Sequence, residues 1–418
     1  MSNIQLTRYM SEMHNSGKKY PIVMEFHQID CFAINMKFFK LLGICIRNYP
    51  FRFYNVYSIM LIFTFIIFYD LLCTINLFYL PVQLDLIIEE LVFYFMELAA
   101  ISKVLTFVFF RDKLAKILDA LEDPMFQASN GKEQKIIDGA KRFNKRYWKI
   151  VATVSLTSHA THILSPIVER LFLSVPLQLP TCRYSFLSEN TIQQFIYPLY
   201  LYQTLGMHCH LWFNANIDSF FLGLMILIIA QLQILDLRLR TATDVKKNDD
   251  IGQANTSEAR ANYSLTQLNK CIVHFDEVGK FCSLVEDTFS MTLFMQFSMS
   301  SCILCVVLFR FTLPAPFEYY IFLGTYMSVM ISFIFVPCWF GTRVMELSVL
   351  LCSSVYECDW TAMPKKFKSN LQLFVERAKR PLTITGGKMF MLSLTTFTSI
   401  MNSSYSFFTL LRNVQTHD

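Results

Sequence analysis

The segment from Arg377 to Arg412, RAKRPLTITGGKMFMLSLTTFTSIMNSSYSFFTLLR, sets the expected architecture of the chain. Pro381 ends the helix before it, because proline lacks the N–H donor that a continuing helix needs. The pair Gly386-Gly387 predicts a flexible joint, and a stretch of low charge follows from Lys388 to Leu411. A helix of about 24 residues is roughly 36 Å long, enough to cross the hydrocarbon core of a membrane. The segment therefore predicts a buried final helix.

A second helix, from Lys365 to Arg380, precedes the joint and has one apolar face. That face consists of Phe367, Leu371, Phe374 and Ala378, which recur at helical spacing, while charged side chains cover the other faces. The pattern is typical of an amphipathic helix that lies outside the bilayer. We expect this helix to join a bundle of helices on the cytosolic side of the membrane.

The final helix is rich in small hydroxyl residues, which is unusual for a helix surrounded by lipid. One interpretation is close packing, because small residues let helices approach and hydroxyls can bond to carbonyls one turn earlier. The other interpretation is that one face of the helix meets water. Residues at steps of three and four form a stripe that is a candidate pore wall. With the adjacent Thr409, the stripe comprises Thr398, Met401, Tyr405, Phe408, Thr409 and Arg412.

The composition indicates a membrane protein. Of the 418 residues, 54% are hydrophobic and only 17% are charged, which is rare in soluble domains of this size. Residues 1–52 are polar and of mixed charge, without the apolar core of a cleavable signal peptide. We therefore expect an all-α integral membrane protein whose amino terminus stays in the cytosol.

Seven apolar stretches are long enough to span a membrane. The predicted spans are Phe53 to Phe78, Leu84 to Phe110, Tyr147 to Leu171, Ile192 to Arg240, Phe289 to Phe311, Phe317 to Phe340 and Lys388 to Leu411. Span four would be roughly 70 Å long, more than twice the hydrocarbon thickness. Its excess predicts a cytosolic bundle with Leu265 to Glu286, Arg343 to Tyr356 and Lys365 to Arg380. We expect two regions: residues 1–340, with spans one to six and their cytosolic extensions, and residues 341–418, with the anchor helices and the last span.

The distribution of basic residues predicts the orientation. Most of the 37 Lys and Arg residues lie before span one or in alternate connections, and the opposite connections hold only Arg170, Arg183, Arg310 and Arg412. Basic loops stay in the cytosol. The amino end is therefore expected inside the cell and the carboxyl end outside, the reverse of a G-protein-coupled receptor.

Several ionisable residues lie within predicted spans. Glu90 and Glu97 share a face of span two, with Lys103 further along. Charged groups in a membrane need a partner or water. Buried pairing is the favoured interpretation, and lining a hydrated vestibule is the alternative. Asp218, where span four leaves the bilayer, predicts a hydrogen bond or ion pair between helices.

The sequence predicts no enzyme activity, no cofactor and no metal site. His208 and His210 are two apart on a helix and so point to nearly opposite sides. His159 and His162 share a face, yet they have no Cys or carboxylate at ligand spacing. A phosphate-binding glycine loop, a nucleophile elbow and a zinc-protease helix are all absent from the sequence. The 12 cysteines are scattered, with Cys182 in an outer connection, and predict no disulfide framework.

The carboxyl-terminal motifs closely resemble the signature of insect odorant receptors. The residues that carry the resemblance are Tyr356, Asp359-Trp360, Lys365-Lys366, Arg377 to Leu382, Thr385 to Lys388, Leu392 to Leu394, Thr396-Phe397 and Ser403 to Leu411. The related gustatory receptors have a different ending. The connection from Leu237 to Arg260 is much shorter than the corresponding loop of the family's co-receptor. The chain therefore resembles a tuning subunit.

The resemblance implies an odorant-gated, non-selective cation channel, assembled with the olfactory co-receptor as a heterotetramer in the plasma membrane of olfactory neurons. It also implies that four subunits meet at the cytosolic bundle. The expected assembly residues are Phe367, Leu371, Phe374, Arg377, Arg380 and Pro381. The alternatives are a G-protein-coupled type of chemoreceptor or a gustatory-like receptor; a transporter would usually show paired broken helices and an internal repeat.

The resemblance further implies that a volatile odorant binds among the outer halves of spans two, three, four and six. Aromatic and methionine walls with a few polar groups suit a small, mostly apolar molecule. The candidate ligand-binding residues are Phe93, Met96, Ser158, His162, Tyr197, Gln203, Met207, Tyr319, Phe322 and Tyr326. Nucleic acid is not expected as a partner.

Overall fold

The computed structural model describes residues 28–47, 53–81, 83–173, 176–243, 257–314 and 317–417. In these residues the elements are α1 (Ala33–Leu41), α2 (Tyr54–Tyr79), α3 (Leu84–Phe109), α4 (Arg111–Leu121), α5 (Gly131–Leu173), α6 (Glu189–Gln194), α7 (Ile196–Arg240), α8 (Ser257–Arg310), α9 (Phe317–Ser354), α10 (Lys365–Ala378), β1 (Thr385–Gly386), β2 (Phe390–Met391) and α11 (Leu394–His417). A π-helical turn, Phe63–Ile67, interrupts α2. The predicted all-α fold class is confirmed.

Five helices in the described part of the chain are long and apolar enough to cross a membrane. They are α2, α3 from Leu86 onward, α7, α8 and α9. The other two predicted spans correspond to α5 and α11, which have 43 and 24 residues. Both are therefore long enough to cross the hydrocarbon core, although they are less apolar. Their place in the membrane stays a prediction.

Helix α7 forms the centre of the fold. From Phe213 to Leu235 most of its side chains are buried, and the helix packs against α3, α5, α8 and α9. A helix that is apolar on all sides is typically enclosed by other helices. Near its outer end, Gly206 permits close approach of α2, because a Cβ atom there would lie 2.3 Å from the ring of Tyr69. Helix α7 thus positions the other helices.

The inner extensions of α8 and α9 pack against α10, and α7 contacts the short turn Val355–Glu357 that follows α9. Helix α10 buries Phe367, Leu371 and Phe374 within the protomer, and the ring of Phe374 lies 5.4 Å from that of Phe275 in α8. These three members of the predicted assembly set are therefore used inside the subunit, because their side chains have no surface to offer a neighbour. Arg377, Arg380 and Pro381 are exposed, and the Arg377 guanidinium lies 2.9 Å from the Asp276 carboxylate of α8. Their role in assembly stays a prediction.

The joint at Gly386-Gly387 is an ordered hairpin, so the prediction of a flexible joint is wrong. Strands β1 and β2 pair antiparallel, with Thr385 opposite Met391 and Gly386 opposite Phe390. Gly387 has φ of +60°, a conformation that glycine adopts without strain, and its N–H donates to the Ser290 carbonyl at 2.8 Å. Helix α11 consequently begins at Leu394 and not at Lys388.

Two other helix boundaries also differ from the sequence prediction. Helix α5 starts at Gly131 instead of Tyr147, because the basic segment before span three is amphipathic and buries Ile137 and Asn144. The long helix predicted from Ile192 is broken at Phe195, which separates α6 from α7. Helix α9 runs without interruption across the predicted division at residues 340 and 341, and that division stays a prediction.

Gly341 in α9 should be intolerant of any side chain. A Cβ atom there would lie 2.2 Å from the carbonyl oxygen of Leu392, just after β2. We expect Gly341→Ala to destabilise the fold by about 1–3 kcal/mol through overpacking. The measurement is the Tm of the detergent-solubilised receptor. Gly324→Ala in the same helix is the matched control, because nothing lies within 4 Å of its Cβ position. Equal Tm values for the two variants would contradict the close approach.

Candidate functional site

The π-helical turn of α2 presents two backbone carbonyls to α7. The Tyr202 hydroxyl donates to the Thr64 carbonyl at 2.8 Å, and Nε2 of His210 lies 2.9 Å from the Phe65 carbonyl. A π-helical turn disturbs the regular hydrogen-bond ladder and is frequent at functional sites. Here α7 supplies the partners for the disturbed carbonyls. The two helices are thereby joined halfway along α2.

Three buried ionisable side chains from three helices meet at His210. Its Nδ1 contacts the carboxylate of Glu97 in α3, and its Nε2 lies 4.0 Å from a carboxylate oxygen of Asp70 in α2. All three residues are at most 7% exposed. The predicted buried pairing of Glu97 is confirmed, whereas its partners were missed. The available signal was Asp70, an acidic residue inside an apolar span.

This cluster fits an ionic hydrogen-bond network better than a metal centre. One ligand-type atom from each residue lies within 4.8 Å of the others. The two ring nitrogens of His210 are nevertheless engaged separately, one by Glu97 and one by the Phe65 carbonyl. A zinc site needs its ligands to converge tetrahedrally on one point. The sequence-based expectation of no metal site stays a prediction.

His208 and His210 have different neighbours, as their spacing predicted. Nε2 of His208 accepts a hydrogen bond from the Trp212 indole at 2.9 Å, and its ring lies 5.2 Å from that of His159. His159 and His208 therefore form an imidazole pair between α5 and α7, apart from the carboxylates.

A small cavity lies at the outer ends of α2 and α3, beneath the connection between α5 and α6. Its volume is about 10 Å³, about the space for one water molecule. It is lined by Cys73, Leu77, Glu90, Phe93, Tyr94, Glu97, Thr181 and Cys182. Two aromatic rings, two carboxylates and two hydroxyl groups are therefore among the groups around this cavity.

Three predicted ligand-binding residues lie at or beside this cavity. Phe93 lines it, and its ring lies 5.2 Å from that of His162. Nε2 of His162 lies 2.7 Å from the Pro180 carbonyl in the connection between α5 and α6, which we call the outer connection. Gln203 is fully buried and bonds to the backbone of Thr181 and Cys182. Phe93, His162 and Gln203 thus meet around one loop.

The remaining candidates lie elsewhere. Met96 and Tyr326 pack against the main core, and Met207 is half-buried. Ser158 and Tyr197 are exposed, and the Tyr197 ring lies 5.3 Å from the Arg170 guanidinium. The side chains of Tyr319 and Phe322 fall outside the described residues. Sequence reasoning did not find Tyr94 of α3 or Thr181 of the connection between α5 and α6, because only the fold brings these two elements together at the cavity.

A buried ion pair connects α3 with α7 deeper in the bundle. The Lys103 ammonium lies 2.7 Å from the Asp218 carboxylate and 2.9 Å from the side-chain oxygen of Asn214. The Lys103 side chain is 4% exposed. The predicted bond between helices at Asp218 is confirmed. Asp218 also borders a second cavity of about 20 Å³, lined further by residues such as Gln296 and Phe333.

Helix α11 has one packed face and one exposed face. The Ser404 hydroxyl lies 3.0 Å from that of Ser301 in α8, and the Phe397 ring lies 5.4 Å from that of Phe335 in α9. Within the predicted pore set, the exposed residues are Thr398, Tyr405 and Arg412, the half-buried ones Met401, Phe408 and Thr409. Since Met401 packs against the core, the exposed stripe passes through Asn402 instead.

Comparison with known proteins gives consistent results. A profile of the family described as "7tm Odorant receptor" matches residues 83–405. Odorant receptor 2a of Drosophila melanogaster is 29% identical over 50% of this chain and 53% of its own length. Odorant receptor 94a of the same species is 24% identical over 76% of this chain and 78% of its own length. The matched region spans about half the length of the first of these relatives.

The fold also resembles a solved receptor structure. The insect olfactory receptor OR5 from Machilis hrabei, determined in complex with eugenol, superposes with a TM-score of 0.77 at 17% sequence identity. The superposition covers 93% of this chain and 100% of that one. The same receptor determined without a named ligand also superposes with a TM-score of 0.77. These proteins are receptors, which agrees with the prediction that the chain is not an enzyme.

Removing one partner of the ion pair between Lys103 and Asp218 should destabilise the protein much more than removing both. We expect Lys103→Met to destabilise the protein by about 3–5 kcal/mol, because it leaves a buried carboxylate without its cation. The double variant Lys103→Met with Asp218→Leu should recover most of that loss. Thermal unfolding of the purified variants is the measurement. The exposed pair between Arg343 and Glu346 gives the control: Arg343→Met should cost about 0–1 kcal/mol. A double variant as unstable as Lys103→Met would contradict the buried pairing.

Proposed function

The chain belongs to the seven-transmembrane odorant receptor family, and we propose that it is the tuning subunit of an odorant-gated, non-selective cation channel. It assembles with the family's olfactory co-receptor as a heterotetramer in the plasma membrane, in the dendrites of olfactory neurons. The assignment as tuning subunit depends on the connection between α7 and α8, predicted from Leu237 to Arg260. This connection is much shorter than the corresponding loop of the co-receptor.

The observation that carries the channel proposal is the polar exposed face of α11. In a helix surrounded by lipid, hydroxyl, amide and guanidinium groups would be turned inward. Here Thr398, Asn402, Tyr405 and Arg412 lie on the face that the protomer leaves exposed. A central pore formed by the α11 helices of four subunits would give that face water.

The cavity at the outer ends of α2 and α3 is the proposed binding site for a small ligand. Its aromatic residues Phe93 and Tyr94 favour an apolar molecule, and the Thr181 hydroxyl can orient a polar group. A cavity of about 10 Å³ is too small for a volatile such as eugenol, the ligand of the solved relative. Binding would therefore require the outer ends of α2, α3 and α5 to move apart, or the outer connection to shift. We propose that the odorant favours this expanded arrangement, a population shift between closed and open states.

A G-protein-coupled type of receptor is the second candidate. The distribution of basic residues argues against it, because it predicts a cytosolic amino end. A gustatory-like receptor is a further alternative, and the Ser404-Tyr405 region departs from the ending of that group.

The direct test is the current evoked by a panel of odorants in cells that express the chain with and without the co-receptor. We expect odorant-evoked cation current with the co-receptor.

In that assay Phe93→Ala should raise the half-maximal odorant concentration about tenfold, because about 1.4 kcal/mol of contact is lost. Thr157→Ala, on an exposed face of α5 and outside the candidate set, is the control and should leave sensitivity unchanged. Equal sensitivity of both variants would place the ligand elsewhere, and a response that needs G-protein signalling would refute the channel.

The outer end of α11 should determine ion passage. We expect Arg412→Glu to raise calcium permeability relative to monovalent cations, because a cation at the mouth opposes cation entry. Phe408→Ala should raise the current without odorant, because a hydrophobic ring can close a pore by dewetting. Reversal potentials and resting currents are the measurements. Leu410→Ala is the control. Leu410 is two positions from both Phe408 and Arg412, and residues two apart point in nearly opposite directions around a helix. Unchanged values in both test variants would show that this face packs against protein or lipid instead.

A further inference from the structure

Two cysteines that are far apart in sequence meet at the outer end of the fold. Cys73 lies in α2, and Cys182 lies in the connection between α5 and α6. Their Sγ atoms are 3.8 Å apart, and both residues are buried, at 6% and 2% exposure. A disulfide bond is about 2.05 Å long, so the two sulfur atoms are in contact and must approach by about a further 1.8 Å to bond.

The backbone around Cys182 is fixed by side chains of other helices. Gln203 of α7 donates to the Cys182 carbonyl at 2.7 Å and accepts from the Thr181 N–H at 3.0 Å. The Tyr69 hydroxyl, one helical turn before Cys73, donates to the Thr181 hydroxyl at 2.8 Å. These bonds hold Cys182 opposite Cys73 without any covalent link. The register between loop and helix is therefore already set.

The next turn of α2 also holds the connection. The Ser185 N–H donates to the side-chain oxygen of Asn76 at 2.6 Å, and Asn76 is fully buried. Tyr184, between these attachments, packs against Tyr69, Cys73 and Cys182 in a separate apolar cluster. The connection thus has two attachments to α2, one on either side of the sulfur contact.

The position of the pair favours oxidation. In the orientation proposed above, the connection from α5 to α6 faces the lumen during synthesis and the outside of the cell afterwards, and both compartments are oxidising. Two cysteines on the opposite side have carbonyl partners instead: the Cys282 thiol donates to the Thr383 carbonyl and the Cys352 thiol to the Val375 carbonyl, each at 3.7 Å. Cys73 and Cys182, whose thiols contact each other, lie on the oxidising side.

We propose that Cys73 and Cys182 form a disulfide that anchors the outer connection over the cavity. The two thiols give up two protons and two electrons to the disulfide of a lumenal oxidoreductase, by thiol–disulfide exchange. The sulfur–sulfur bond of that oxidant breaks, and it leaves with two thiols. Because both cysteines line the cavity with Glu90, Phe93 and Glu97, the cross-link limits how far the connection can lift from the bound ligand.

The test is peptide mapping of the full-length receptor from insect cells. The protein is denatured in excess N-ethylmaleimide without reductant, digested, and analysed by mass spectrometry before and after reduction. We expect one cross-linked species that contains the Cys73 and Cys182 peptides and separates on reduction. Cys302, which is exposed, and Cys305, which is half-buried, are the controls and should carry maleimide without reduction.

Single variants complete the test. In Cys73→Ser, Cys182 should become fully alkylated without reduction, and Cys73 should behave likewise in Cys182→Ser. Alkylation of both cysteines in the unreduced wild-type receptor would overturn the proposal, as would a cross-link between two subunits at either cysteine. The inference uses the orientation within the proposed function, yet the mass readout needs no odorant response. Free thiols in a receptor with normal odorant-evoked current would therefore refute the disulfide alone.

Discussion

Polar groups within a membrane must find partners inside the protein, because hydrocarbon offers none. In this fold, α7 supplies several of those partners. Asp218 pairs with Lys103 of α3, His210 meets Glu97 of α3 and the Phe65 carbonyl of α2, and Gln203 bonds to the outer connection. Each bond fixes a neighbouring element at a defined depth along α7. Apolar packing alone would let those helices slide.

The helices themselves could be read from the sequence because each depends on local composition. Long apolar stretches gave the spans, and the apolar spacing of Phe367, Leu371 and Phe374 gave α10. The hairpin was missed because it depends on distant residues. The Phe390 ring stacks on Phe297 of α8 at 5.4 Å, and the Gly387 N–H is held by Ser290. A glycine pair has the freedom to form either a loose joint or a tight turn, and only these contacts select the turn.

The candidate site was harder to predict for the same reason. Glu90, Glu97 and Asp218 were identifiable as costly charges in spans, but their partners depend on which helices are neighbours. Asp70 and His210 come from different helices, and no pattern along the chain connects them. The outer connection has no periodicity, so the positions of Thr181 and Cys182 could not be inferred. The sequence did indicate which charged side chains within the spans would need a partner.

The ordered hairpin makes α11 a rod that is clamped at one end. Below its first turn, Leu392 bonds to Ile384, and the Leu394 N–H donates to the Thr342 hydroxyl of α9 at 2.9 Å. A helix of about 24 residues extends roughly 36 Å from that clamp, so a tilt of about 5° at its base displaces its tip by about 3 Å. The displacement in such a tilt is therefore smallest near Leu394 and increases along the helix through Arg412. In the proposed pore, a small rotation of this rod near α8 and α9 therefore changes the width most at the outer opening.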